Sequence, residues 1–79
     1  MTAATENIPP LEMIDGRWHC AGQGIHAGDF MELLCPDGHW LPVRVESMMK
    51  GQRLIAYFGH HGLEIGRTLG ETDRLRWPE

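Results

Sequence analysis

Any chemistry in this chain would fall to its five histidines and two cysteines, whose closest groupings are His19-Cys20, Cys35 followed by His39, and His60-His61. A tetrahedral zinc site takes four nitrogen or sulfur ligands, usually offered as close pairs. Only Cys35 and His39 approach such a pair, and they flank Pro36-Asp37-Gly38, which already has an explanation as a hairpin turn. Adjacent histidines on a strand point to opposite faces. The histidines are therefore read as solvated and the thiols as buried, with no metal and no cofactor expected. Cys35 with His39 is also the sole candidate for a thiol nucleophile and its base. It lacks a glycine-rich oxyanion loop, and an inward Cys35 would be inert, so no catalytic residue is assigned and the chain is not read as an enzyme. Glu32, Glu46 and Glu64 have no partner that spacing establishes, and Asp29 after Gly28 is read as ordering a turn. The Gly24–Gly28 region has neither the lysine nor the following helix of a phosphate-binding loop.

The residues that do suggest function are aromatic. Trp40 and Arg44 alternate with Leu41, Val43 and Val45, so they point away from the core that those three enter. Phe30 and Tyr57 can lie beside Trp40 on neighbouring strands. An exposed tryptophan flanked by arginine is the composition of a protein-binding hot spot, and clustered rings can also stack bases or hold a cation. The candidate binding residues are Trp40 as anchor, Arg44 as the charge-pairing group, Tyr57 and Phe30. The competing reading covers Trp40 with the N-terminal arm or with Trp77.

Three consecutive antiparallel strands must position these side chains: residues 28–35, 39–47 and 52–58. They are separated by turns at Pro36-Asp37-Gly38 and Lys50-Gly51. Met31, Leu33 and Cys35 are placed in the core, because the opposite register would bury Glu32. Pro42 cannot donate to a ladder and confines its part of the strand to an edge or a bulge. A bulge there would bend the sheet toward closure into a barrel. Asp15-Gly16 is a turn signal, Arg17–Gly22 a short strand with Trp18 and Cys20 on one face, and the following glycines a loop. Gly59–Gly62 reads as a hairpin loop and Leu63–Leu69 as a fourth core strand bent at Gly66. Arg74–Trp77 closes the chain with Leu75 and Trp77 facing one way. Residues 1–16 are expected to form an extended arm around Pro9-Pro10. Its Leu11, Met13 and Ile14 pack as a lid on one end of the domain or against a second copy.

Seventy-nine residues allow one domain and a modest core. No apolar run is long enough to span a membrane and no basic start precedes an apolar segment, so a cytoplasmic protein with reduced cysteines is expected. The net charge of -4 is concentrated at the start, since residues 1–16 hold Glu6, Glu12 and Asp15 without a lysine or arginine. From Arg17 onward eight acids face seven bases. A nucleic-acid partner usually requires a basic surplus. That class is disfavoured, although Arg44, Arg53, Arg67, Arg74 and Arg76 could share a face.

The segment GDFMELLCPDGHWLPVRVE, residues 28–46, together with the Leu-Arg-Trp-Pro ending at 75–78, resembles small bacterial proteins of the DUF5348 type. That resemblance covers most of the chain from Ile25 on and implies a setting among accessory genes of mobile elements. More loosely, the segment is similar to the opening of Tudor and other SH3-like barrels, where Gly-Asp begins one strand and Asp-Gly-x-Trp the next. Leu41 stands where those barrels often carry a second ring, which departs from a complete aromatic cage. Both resemblances imply a strongly bent barrel. The expectation is an all-β, SH3-like barrel of about five strands over residues 17–79, preceded by the arm. It acts as a non-catalytic module for a protein partner or self-association, with nucleic-acid binding through Arg44, Arg53, Arg74 and Arg76 as the alternative.

Overall fold

The computed structural model describes residues 8–47, 53–60 and 63–79. It is all-β, in two antiparallel sheets. Strands β1 (Glu12–Ile14), β2 (Arg17–Cys20) and β3 (Gln23–Gly24) form the smaller one, in that spatial order. The larger contains β4 (Phe30–Leu34), β5 (Trp40–Glu46), β6 (Ile55–His60), β7 (Leu63–Thr68) and β8 (Leu75–Arg76), ordered β7-β6-β5-β4-β8.

Turn chemistry explains most of the connections. Asp15 and Gly16 have φ of 53° and 81°, and Ala21 and Gly22 have φ of 52° and 81°. Both pairs are two-residue turns with positive φ at each central position, the geometry whose twist suits a hairpin. The second turn makes β3, where a loop was expected. Alanine is a poor occupant of its first position, because a Cβ is crowded by the carbonyl in left-handed backbone. Ala21→Asn is expected to raise stability by about 0.5–1 kcal/mol, read as a higher midpoint in urea melts with unchanged slope.

Register across β4 and β5 places Met31 opposite Val43 and Leu33 opposite Leu41, the inward set expected from the alternation. The bulge lies at Gly28-Asp29 rather than at Pro42. Gly28 donates to the Val45 carbonyl at 2.8 Å while Val45 donates to the Asp29 carbonyl at 2.9 Å, so two residues oppose one. Gly28 takes φ of 90°, and the Asp29 carboxylate accepts the His26 amide at 2.8 Å, which orders that turn. Pro42 lies opposite Glu32, and its nitrogen faces the β6 side. The β5–β6 ladder extends only from Glu46↔Ile55 to Arg44↔Tyr57, so no bond is lost there.

The core lies between the sheets and contains Cys20, Ile25, Met31, Leu33, Val43, Val45, Leu54, Ala56, Leu69 and Leu75, flanked by Leu11, Trp18, Leu41, Phe58 and Trp77. Three sequence expectations change. First, no ladder among the described residues joins the two sheets or their edges, so the barrel is open. The smaller sheet has strands of only two to four residues, too short to close it. Second, Leu63–Leu69 is not a core strand, for every residue of β7 is exposed and only Leu69, beyond its end, is buried. β7 is the sheet edge, and the short second layer does not reach over it. Third, Cys35 is half-buried at the start of its turn, outside the core.

Glu12–Ile14, within the stretch read as an arm, pairs with β2. Of the expected lid, Leu11 packs on the core, whereas Met13 and Ile14 are exposed on the smaller sheet. The β6–β7 ladder continues to His60↔Leu63, so the hairpin connection is shorter than Gly59–Gly62; His61 and Gly62 lie outside the described residues, as does the Lys50-Gly51 turn.

Candidate interaction surface

Because odd positions of β4 and β5 enter the core, their even positions form the outer face of the larger sheet. The ladders align Phe30, Arg44, Tyr57 and Gly66 in one lateral row across β4, β5, β6 and β7. Trp40 stands on the same face opposite Leu34, and Arg76 of β8 stands opposite Glu32. The four residues singled out by the sequence thus share one surface.

Packing on that surface is specific. The Arg44 guanidinium carbon lies 4.9 Å from the Tyr57 ring centroid, and Nη2 donates to Glu64 Oε1 at 2.8 Å while Nη1 pairs with Glu46. The hydrogen bond to Glu64, aided by the charges of Glu64 and Glu46 against some desolvation, pushes the Arg44 pKa further up. Tyr57 lies flat because its neighbour is glycine: a Cβ on Gly66 would come within 2.8 Å of Tyr57 Cε1. Arg76 stacks on Trp40 at 4.2 Å and donates from Nε to Glu32 Oε1 at 2.6 Å. Trp40 is therefore half-buried beneath Arg76, and not beneath Trp77 or the described residues of the arm. Trp77 is turned toward the core side and donates from Nε1 to the Cys20 carbonyl at 2.9 Å. Phe30 is the uncovered ring, at 70% exposure.

Sequence reasoning found no partners for Glu32, Glu46 and Glu64, yet each is paired with an arginine on this face. The missing signal was strand pairing, above all that of β8 with β4, which no local spacing encodes. Pairing also bears on the arginines offered for nucleic acid. Besides Arg44 and Arg76, Arg53 faces Glu71 at 3.5 Å, Arg67 faces Asp73 at 3.1 Å, and Arg74 donates to the carbonyls of Glu71 and Asp73. Arg44, Arg53, Arg67 and Arg76 thus each face a carboxylate, while Arg74 is bonded to neutral carbonyls and keeps its charge unmatched among the described residues.

The Cys35 and His39 backbones face each other, with the Cys35 amide donating to the His39 carbonyl at 2.8 Å. Their side chains are directed elsewhere. Cys35 Sγ points to the Leu33 carbonyl at 3.9 Å, and His39 Nδ1 lies 2.7 Å from Asp37 Oδ2. The His39–Asp37 hydrogen bond raises the His39 pKa and lowers that of Asp37. A raised histidine pKa is a stabilising contribution present at low pH and lost as pH rises through the folded value. A depressed aspartate pKa is one lost as pH falls through its own folded value. The pair therefore acts between the two titrations. Asp37→Asn is expected to move the His39 midpoint down toward the ordinary imidazole value, followed by NMR of its ring protons.

Elsewhere, His19 Nδ1 lies 3.0 Å from the Arg17 carbonyl. The buried Cys20 thiol lies 3.4 Å from the Leu75 carbonyl, and burial pushes its pKa up. Among the described residues no group of three or more His, Cys, Asp and Glu side chains could hold a metal ion, and no helix is long and apolar enough to cross a membrane. Compared with family models, curated proteins and solved structures, the chain matches none.

Proposed function

We propose that this domain is a non-catalytic interaction module that binds a protein partner on the outer face of its larger sheet. The observation that carries this reading is the alignment of Phe30, Arg44 and Tyr57 in one row, with Trp40 on the same face and the Phe30 ring open to solvent. Recognition surfaces concentrate their binding in a few aromatic and arginine side chains held rigidly before the partner arrives. Arg44, fixed by Tyr57, Glu46 and Glu64, and Trp40, fixed by Arg76, are held in that way. Since Arg76 occupies one face of Trp40, Phe30 is the better anchor, and Trp40 is a second ring on the same face, four positions further along the ladder. The mixture of matched charges and apolar rings suits a protein surface of mixed polarity. A setting as a cytoplasmic accessory factor of a bacterial mobile element is proposed on the sequence resemblance of residues 28–46 to DUF5348-type proteins alone, since no family model matches the chain.

Affinity enrichment from cells, comparing the unaltered chain with Phe30→Ser and Met13→Ser, tests the reading. One specific protein should be retained by the unaltered chain and by Met13→Ser, and lost with Phe30→Ser. Equal retention by all three would overturn it, as would binding of DNA that falls steeply with salt in a mobility-shift assay.

A further inference from the structure

β7 combines two unusual features. Its Leu63 and Ile65 side chains are 79% and 64% exposed, and it is the outermost strand of the larger sheet, with no strand described on its far side. The two features concern the same six residues, Leu63–Thr68. Long exposed edges carrying apolar residues are normally avoided, because their free amides and carbonyls accept another strand.

We infer that β7 pairs antiparallel with β7 of a second copy, joining two sheets edge to edge. The register follows from which backbone groups are free. Leu69 donates to the Leu54 carbonyl at 2.9 Å, so with the pairing Ala56↔Arg67 and Phe58↔Ile65 the odd positions of β7 bond to β6. Glu64, Gly66 and Thr68 therefore direct their amides and carbonyls to the open edge. A two-fold axis perpendicular to a continuous sheet pairs residues that share a face, hence an even position with an even one. Two such registers lie near the middle of the strand. Pairing Gly66 with Gly66 would set Ile65 against an arginine, Arg67. Pairing Glu64 with Gly66 instead sets Ile65 against Ile65 in a non-hydrogen-bonded pair, where side chains come closest, with each Leu63 opposite the partner's Arg67 and diagonal to the partner's isoleucine.

The second register packs the two Ile65 side chains on each other, lays Leu63 along the aliphatic stem of the partner's Arg67, and places no like charges directly opposite. Its flanking charges are already matched within each copy, Glu64 by Arg44 and Arg67 by Asp73. A second copy therefore satisfies the edge without adding an unpaired charge. This symmetry also puts the two outer faces side by side, so the dimer would present the Phe30–Arg44–Tyr57 row twice. Self-pairing does not depend on what that row binds.

Sedimentation of the full chain from micromolar to millimolar concentration tests the inference, with Ile65→Arg and Ile65→Cys alongside. The unaltered chain should approach twice its 9.0 kDa mass, and Ile65→Arg should raise the dissociation constant by about a hundredfold. Because opposed residues at a non-hydrogen-bonded site lie about 4.5 Å apart between Cα atoms, within disulfide range, Ile65→Cys should cross-link under diamide far faster than Glu64→Cys. Ile65 is exposed, so its variants should keep the melting temperature; if Ile65→Arg does not fold, the cysteine pair decides. A monomer throughout that range overturns the inference, as does a dimer indifferent to Ile65→Arg or one that cross-links equally well through position 64.

Discussion

Gly59→Ala is expected to destabilise the domain by about 2–4 kcal/mol. Gly59 has φ of 129°, a conformation that residues with a side chain rarely adopt, and an added Cβ would lie 2.0 Å from the Leu63 carbonyl oxygen and 3.1 Å from its carbon. Backbone cannot withdraw as the end of a long side chain can. Relief would need the β6–β7 ladder to separate at Gly59↔Glu64, where Glu64 reaches Arg44. The loss would be measured as a lower urea midpoint, and an unchanged midpoint would contradict the stated geometry.

Gly66→Ala is expected to cost less, about 1–2 kcal/mol, and to disturb the interaction row more. Its Cβ would meet the Tyr57 ring at 2.8 and 3.2 Å and Ile55 Cγ2 at 3.4 Å, contacts with side chains that are able to move. The ring should swing away from Gly66 and from the Arg44 guanidinium. Arg44 side-chain protons, shifted upfield by the Tyr57 ring in the unaltered protein, should move downfield in the variant. An Arg44 spectrum that stayed the same would mean the ring does not depend on the glycine.

The hairpin of β4 and β5 was legible in the sequence because two independent signals agree there, Asp37-Gly38 as a turn and period-two alternation on both sides. Placement of Trp40, Arg44 and Phe30 on one outer face followed from that alternation, and Tyr57 joined them through its pairing with Arg44. Pro42 correctly signalled an open side of β5, but the bulge belonged to Gly28, one of several nearby glycines whose backbone roles the sequence did not distinguish. β3 was missed because alanine seldom begins a turn of this type.

Exposure of Leu63 and Ile65 was not legible, since apolar alternation predicts a buried face without saying whether another layer covers it. The cover on Trp40 was hidden for a similar reason. Arg76 reaches it through an antiparallel pairing between β4 and β8, with Glu32 and Arg76 separated by 44 positions in sequence.

The most direct measurement replaces single residues with a photo-crosslinking benzoylphenylalanine in living cells. Phe30 is the test position, and Met13, an exposed apolar residue on the smaller sheet, is the control. The crosslinker at position 30 should trap one defined protein, and the product should disappear when Arg44→Glu is added, while position 13 yields none. A product from position 13 with none from position 30 would contradict recognition by the outer face.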